Sequence, residues 1–68
     1  AEMKIILNGK ETVLKEEVSL VDFLNSRDLD LDKIVVEYNK NVVKSEEWSN
    51  ITLKENDQLE VLRFVGGG

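Results

Sequence analysis

The residues that could most clearly take part in a reaction are the last three of the sequence, Gly66-Gly67-Gly68. They directly follow the apolar pair Phe64-Val65. The sequence has four glycines, and three of them stand together where they add nothing to a core. A terminal carboxyl group has a pKa of about 3.3–3.7 and is ionised at neutral pH, so it can attack the α-phosphate of ATP. Because glycine lacks a Cβ, an enzyme can close a narrow channel around such a segment. The glycines alone fit two interpretations, a carboxylate at Gly68 that an enzyme activates or a frayed end without a function, and the rest of the sequence must decide between them.

Other reactive side chains are scarce, because the sequence contains neither cysteine nor histidine. This composition excludes zinc sites built on those residues, thiol nucleophiles and catalytic triads that contain histidine. The serines therefore have no histidine to activate them. The adjacent pairs Glu16-Glu17 and Glu46-Glu47 do not face each other on a helix and are interpreted as solvated turns.

The alternating acids Asp28, Asp30 and Asp32 are similar to the start of a calcium-binding loop. Such a loop needs glycine at its sixth position and glutamate at its twelfth, and this sequence has Lys33 and Asn39 there. We therefore expect no metal here, and we expect Leu29 and Leu31 between the acids to turn into the core.

Length and charge restrict the class of protein. The 68 residues allow one small domain, and a net charge of -5 disfavours nucleic acid and anionic membranes as partners. A basic protein surface is the charged partner that this balance favours. No secretory signal or apolar span is visible, which leads us to expect a cytoplasmic protein. The expected domain is 3–65, with a flexible glycine tail at 66–68 and a cloning remnant at 1–2.

The first half of the chain predicts a β-hairpin and a short helix. Asn8-Gly9 supplies the positive φ angles of a type I′ turn, so Leu7 should pair with Lys10 and Met3 with Leu14. Ser19 is the expected N-cap of a helix over Leu20–Arg27, whose apolar stripe would pack on a sheet.

The second half predicts three more strands. They are Ile34 to Tyr38, a short segment at Val42-Val43, and a last strand over 58–65, with Trp48 on a single helical turn before it. This order predicts an α+β roll, a mixed sheet of four to five strands packed on one short helix. The side chains expected to be buried together are Ile5, Leu7, Leu20, Phe23, Leu24, Val36, Leu59 and Val61.

This pattern resembles the ubiquitin-like β-grasp proteins, and within them the ThiS family of sulfur carriers. The resemblance covers 3–68. The residues that carry it are Leu7-Asn8-Gly9, the helix around Ser19 to Leu24, Val36-Glu37-Tyr38-Asn39, Val42-Val43, Trp48, Leu53, Asp57, Glu60 and Phe64-Val65-Gly66-Gly67-Gly68. Relatives often have Gly-Asp where this sequence has Asn56-Asp57, a change in a turn that asparagine tolerates.

The resemblance implies a protein that is not itself an enzyme and binds no cofactor. An E1-like adenylating enzyme would convert the carboxylate of Gly68 to an acyl-adenylate with ATP and magnesium. Sulfur from a cysteine desulfurase route would then displace AMP and leave a thiocarboxylate, which thiazole synthase would use in thiamine biosynthesis. Gly66 and Gly67 would form the thin stalk that enters each partner.

Alternation along the strands predicts where partners dock. If Leu59 and Val61 point into the core, then Leu62 and Phe64 point outward. Ile6 and Val13 fall on the same uncovered side, and Val65 continues the apolar segment, so these five residues form the predicted docking face.

Two alternatives remain open from the sequence. The small subunit of molybdopterin synthase shares the fold and the thiocarboxylate chemistry, although the short chain and the Phe-Val-Gly-Gly-Gly ending favour thiazole synthesis. A ubiquitin-like binding module that is never activated would have an inert tail, and its apolar face would supply all function.

Overall fold

A five-stranded mixed sheet and one short helix make up the fold in the computed structural model, which describes residues 2–64. The strands are β1 (Met3–Leu7), β2 (Lys10–Leu14), β3 (Ile34–Tyr38), β4 (Asn41–Val43) and β5 (Gln58–Arg63), and the helix is α1 (Leu20–Asn25). Short 3₁₀ segments occupy Leu31–Lys33 and Ser45–Asn50. The expected tail at 66–68 and the docking residue Val65 lie outside the described residues.

The sheet has the order β2-β1-β5-β3-β4, so the last strand of the chain lies at its centre. β5 runs parallel to β1 and antiparallel to β3, and the two outer pairs are antiparallel hairpins. A mixed sheet on one helix confirms the α+β roll predicted from the sequence.

The opening hairpin has the predicted register, with Met3 opposite Leu14 and Leu7 opposite Lys10. The reason is local, since Asn8 and Gly9 adopt φ angles of 50° and 81°. A two-residue turn with both φ angles positive matches the right-handed twist of the strands that it joins.

The core lies between the inner face of the sheet and α1. The helix contributes three side chains to it, and Trp48 closes it from the 3₁₀ segment, where its indole Nε1 donates a 3.2 Å hydrogen bond to the carbonyl of Val43. The buried side chains are Met3, Ile5, Leu20, Phe23, Leu24, Ile34, Val36, Trp48, Leu53 and Leu59. Leu29 and Leu31 pack against this core as expected.

Some expected bounds were wrong. The helix ends at Asn25 instead of Arg27, because the backbone N–H of Ser26 is shared between the carbonyls of Asp22 and Phe23 and tightens the last turn. β5 ends at Arg63.

Two residues expected in the core, Leu7 and Val61, are only partly buried. Both lie beside an open cavity at the end of β5.

Candidate functional site

The end of β5 is the part of the structure that leads to the glycine tail. From Leu59 to Arg63 the strand is paired with β3, and the backbone N–H of Phe64 donates a 3.1 Å hydrogen bond to the carbonyl of Lys33. This bond continues the β3–β5 ladder one residue beyond the last strand residue. The described part of the chain therefore ends on the central strand of the sheet, at Phe64.

On its other side, β5 extends past the end of β1. The parallel pairing stops at Leu7 and Leu59, because the chain turns away at Asn8. The backbone N–H of Asn8 donates to the carbonyl of Leu59 at 2.8 Å. The side chain of Asn8 then bonds both backbone groups of Val61, with Oδ1 accepting from its N–H at 2.8 Å and Nδ2 donating to its carbonyl at 3.4 Å. The sequence indicated only the turn-forming role of Asn8.

Exposed apolar side chains cluster on the outer face near the end of β5. Leu62 is 51% exposed and lies directly opposite Val35 of β3, which is also exposed. Phe64, two residues further along, is 49% exposed. We call Val35, Leu62 and Phe64 the tail patch. Val42 on β4 is also exposed. It pairs with Glu37, two residues after Val35 on β3, and therefore lies diagonally across from Val35.

Val35 and Val42 were not part of the docking face predicted from the sequence. The signal for them is the strand alternation, since Val36 and Val43 next to them turn toward the core. Side chains that alternate with buried ones must face the other side of the sheet.

The two other described members of the predicted docking face, Ile6 and Val13, lie at a different position along the strand direction. Ile6 is level with Gln58, which lies four residues, or about 13 Å, before Leu62 along β5. Val13 lies opposite Lys4, still further from the end of β5. The structure thus places Leu62 and Phe64 beside one another, and it separates from them a second group, Ile6 and Val13, which we call the hairpin patch.

On the inner side of the same end lies a cavity of about 230 Å³, lined in part by Asn8, Val61, Leu29 and both arginines of the sequence, Arg27 and Arg63. The Arg27 guanidinium lies 5.5 Å from the centre of the Phe23 ring, within cation–π range. No carboxylate among residues 2–64 approaches either guanidinium within 4.0 Å, and the ion pair in this range joins Lys4 to Glu11. The inner side of this end therefore carries positive charge on an acidic protein.

Two of the acidic residues considered above, Asp30 and Glu47, have structural contacts. Asp30 accepts from the N–H of Asp32 at 3.1 Å and begins the first 3₁₀ segment. Glu47 accepts from the N–H of Lys44 at 3.2 Å and stabilises the start of the second. Within residues 2–64 there is no cluster of three or more metal-ligating side chains, and no helix long and apolar enough to cross a membrane.

Comparison with known proteins gives the family. The sequence pattern that defines the ThiS family matches residues 1–68, the full sequence. The chain belongs to the ThiS family. The crystal structure of the thiamine biosynthesis protein ThiS from Geobacter metallireducens superimposes with a TM-score of 0.85 at 29% identity, over 97% of this chain and 100% of that one. The ubiquitin-like β-grasp fold expected from the sequence is thereby confirmed.

Two relatives add to this membership of the ThiS family. The sulfur carrier protein ThiS of Bacillus subtilis is 35% identical over 63 residues, which cover 91% of this chain and 96% of that protein. A thiazole synthase of Magnetococcus marinus is 38% identical over 66 residues. These residues are 97% of this chain but only 20% of that protein, so the likeness concerns one segment of a larger polypeptide.

Proposed function

We propose that this ThiS-family protein carries sulfur for the formation of the thiazole of thiamine, with the carboxylate of Gly68 as the working group. The observation that carries the proposal is the family match over 1–68, which includes the three glycines. In this proposal the chain is a substrate for other enzymes and has no catalytic role of its own. It binds no cofactor, and ATP and magnesium act through the adenylating enzyme.

The chemistry takes place in two steps. A carboxylate oxygen of Gly68 attacks the α-phosphate of ATP, which forms the acyl-adenylate and releases pyrophosphate. A sulfur nucleophile supplied by a cysteine desulfurase route then attacks the activated carbonyl. AMP leaves with the oxygen and an acyl disulfide to the donor forms. A thiol reductant then cleaves the S–S bond by thiol–disulfide exchange, so a thiocarboxylate remains at Gly68 and the donor leaves as its disulfide with the thiol.

The structure supports a division of labour in this reaction. Gly66 and Gly67 lack side chains and suit a narrow enzyme channel, but they offer too little surface to define a partner. The tail patch ends at Phe64, two residues before Gly66 in the sequence, and exposes apolar area that a partner can cover. We propose that the adenylating enzyme docks on the tail patch, with the hairpin patch at the margin of the interface.

Thiazole synthase is the proposed acceptor of the sulfur. Support comes from the thiazole synthase of Magnetococcus marinus, one fifth of which resembles this chain. A polypeptide that contains both kinds of segment favours a working relationship between them. This relationship, together with the ThiS match, also favours thiazole formation over the molybdopterin alternative.

The test uses the full chain with an adenylating enzyme of a thiamine pathway, ATP and magnesium. Exchange of pyrophosphate into ATP reports adenylation. Intact mass after addition of a cysteine desulfurase, cysteine and a thiol reductant reports the replacement of one oxygen by sulfur. We expect both signals from the parent. A variant without Gly68 should give neither, because its end falls about 3.5 Å short of the reacting position.

Two results would overturn the proposal. If the parent gave no exchange and no mass change, the chain would be a binding module whose tail is not activated. If the variant without Gly68 accepted sulfur at the parental rate, Gly68 would not be the working residue.

A further inference from the structure

The side chain of Asn8 substitutes for a missing strand at the end of β5. In a sheet, alternate residues of a strand direct their backbone N–H and carbonyl groups to opposite neighbours. The bonds of Phe64 to Lys33 and of Asn39 to Gln58 show that the even-numbered residues of β5 face β3. The backbone N–H and carbonyl groups of Leu59 and Val61 therefore point toward β1. Leu59 is paired with Leu7, the last residue of β1, so Val61 has no β1 residue opposite it.

The carboxamide of Asn8 has the same donor and acceptor as a peptide group and completes the ladder by one rung. A backbone N–H can only donate, so the 2.8 Å contact from Val61 identifies the side-chain atom as Oδ1. Nδ2 is then placed to donate to the Val61 carbonyl at 3.4 Å. The rung lies three residues before Phe64, on the side of β5 that has no strand partner there.

We propose that Asn8 is a positioning residue for activation of the tail: by holding Val61, it fixes the direction of the end of β5, the strand that the glycines follow in the sequence. This inference rests on the proposed function. Without the rung, the last strand residues would be held on the β3 side alone, and the strand end would sample more directions. Each added direction lowers the fraction of docked complexes in which Gly68 reaches the reacting position.

The chain offers a matched control in Asn39. Asn39 also begins a hairpin turn with a φ of 50°, and its Oδ1 also accepts a 2.8 Å bond from a β5 backbone N–H, that of Gln58. Its Nδ2 donates to Asp57 at 3.2 Å. Its side chain therefore makes two hydrogen bonds, as that of Asn8 does, but at the start of β5 and away from the tail.

The experiment compares Asn8→Gly with Asn39→Gly in the full chain. Glycine tolerates the positive φ at both positions, so each variant keeps its turn and loses two side-chain hydrogen bonds. We expect similar losses of stability. Asn8→Gly alone should lower kcat/KM for adenylation about fivefold, the factor that corresponds to the net contribution of the shorter of its two bonds to Val61. Hydrogen exchange should accelerate at the Val61 amide in Asn8→Gly and at the Gln58 amide in Asn39→Gly.

A third variant, Asn8→Asp, keeps the acceptor for the Val61 N–H and loses the donor to its carbonyl. It should protect the Val61 amide and recover part of the adenylation rate, which a loss of general stability would not predict. Equal kcat/KM values for the two glycine variants, with the parent active, would overturn the role of Asn8 and leave the proposed function intact. A parent that is not adenylated would overturn the proposed function, and the role of Asn8 with it.

Discussion

The hydroxyl of Tyr38 donates a 2.6 Å hydrogen bond to Oδ2 of Asp57, which joins the end of β3 to the turn before β5. The same carboxylate accepts from the backbone N–H of Lys54 at 2.8 Å and from the side chain of Asn39 at 3.2 Å. Two separate parts of the chain, the end of β3 and the turn over residues 54–57, thus meet at one carboxylate. Their contacts hold the start of the central strand.

This network predicts a loss of stability in alkali. Burial, the hydrogen bond to Asp57 and the negative charge of Asp57 raise the pKa of Tyr38 from 10.0 to about 12. Because the folded-state pKa exceeds the unfolded value, the stabilisation is fully present below pH 10 and is lost as the pH rises toward about 12. Urea unfolding should show this fall in the parent and a smaller one in Tyr38→Phe, which has no hydroxyl group to ionise.

The pKa itself can be read directly, because Tyr38 is the sole tyrosine of the sequence. Ultraviolet absorbance during an alkaline titration should place its midpoint well above the ordinary value. In Asp57→Asn the negative charge is absent, so the midpoint should move back toward 10. An ordinary midpoint in the folded parent would contradict the Tyr38–Asp57 contact.

Two phenylalanines should separate stability from docking. Phe23 is 4% exposed and packs between α1 and the sheet. Phe23→Ala should lower the free energy of unfolding by about 3–5 kcal/mol, since it leaves a cavity in a small core. Phe64→Ala removes an exposed ring of the same size and should change it by less than about 0.5 kcal/mol. Urea denaturation of both variants provides the comparison, and equal losses would show that the core has been wrongly placed.

The same Phe64→Ala variant should weaken recognition by the adenylating enzyme. If the tail patch is covered in the complex, removing one of its side chains should lower kcat/KM by a factor that corresponds to about 1–3 kcal/mol. The measurement is steady-state adenylation with the variant's stability verified. Activation of Phe64→Ala at the parental efficiency would remove Phe64 from the docking face.

The two patches on the outer face can be ranked with Leu62→Ser and Val13→Ser. Both side chains are exposed on outward strand positions, at 51% and 62%, so both replacements should preserve the fold. We expect Leu62→Ser to reduce adenylation more, because Leu62 lies in the patch next to the tail. A larger effect of Val13→Ser in the same assay would place the interface on the hairpin patch instead.

Lys40 offers a test of backbone strain. It adopts a φ of 75° after Asn39, in the left-handed region that a side chain with a Cβ disfavours. Lys40→Gly relieves that cost but adds entropy to the unfolded chain, so we expect a net gain of about 0.5–1 kcal/mol. Thermal and urea unfolding measure it. Lys10→Gly, on the regular strand β2, is the control and should lose stability.

Much of the fold was predictable because its causes are local. Asn8-Gly9 determines a tight turn, and a two-residue turn determines the hairpin register, so every β1–β2 pair was correct. Ser19 was recognisable as the N-cap, and its Oγ accepts from the N–H of Asp22 at 3.1 Å. The end of the helix was wrong because no residue pattern within 20–27 signals the shared N–H of Ser26, which tightens the last turn before Asp28 adopts a φ of 60°.

The sequence by itself determined the strand faces, the capping and the candidate tail, since each follows from residues close together in the chain. Only the tertiary structure decided which outward side chains share a patch. That choice depends on the parallel register of β1 and β5, where Ile6 meets Gln58 across more than fifty residues of chain. No local signal sets that offset, because the packing of the whole core sets it. Because of the same offset, β1 ends at Leu7 opposite Leu59, two residues short of Val61 on β5. The backbone of Val61 is therefore left for the side chain of Asn8 to contact.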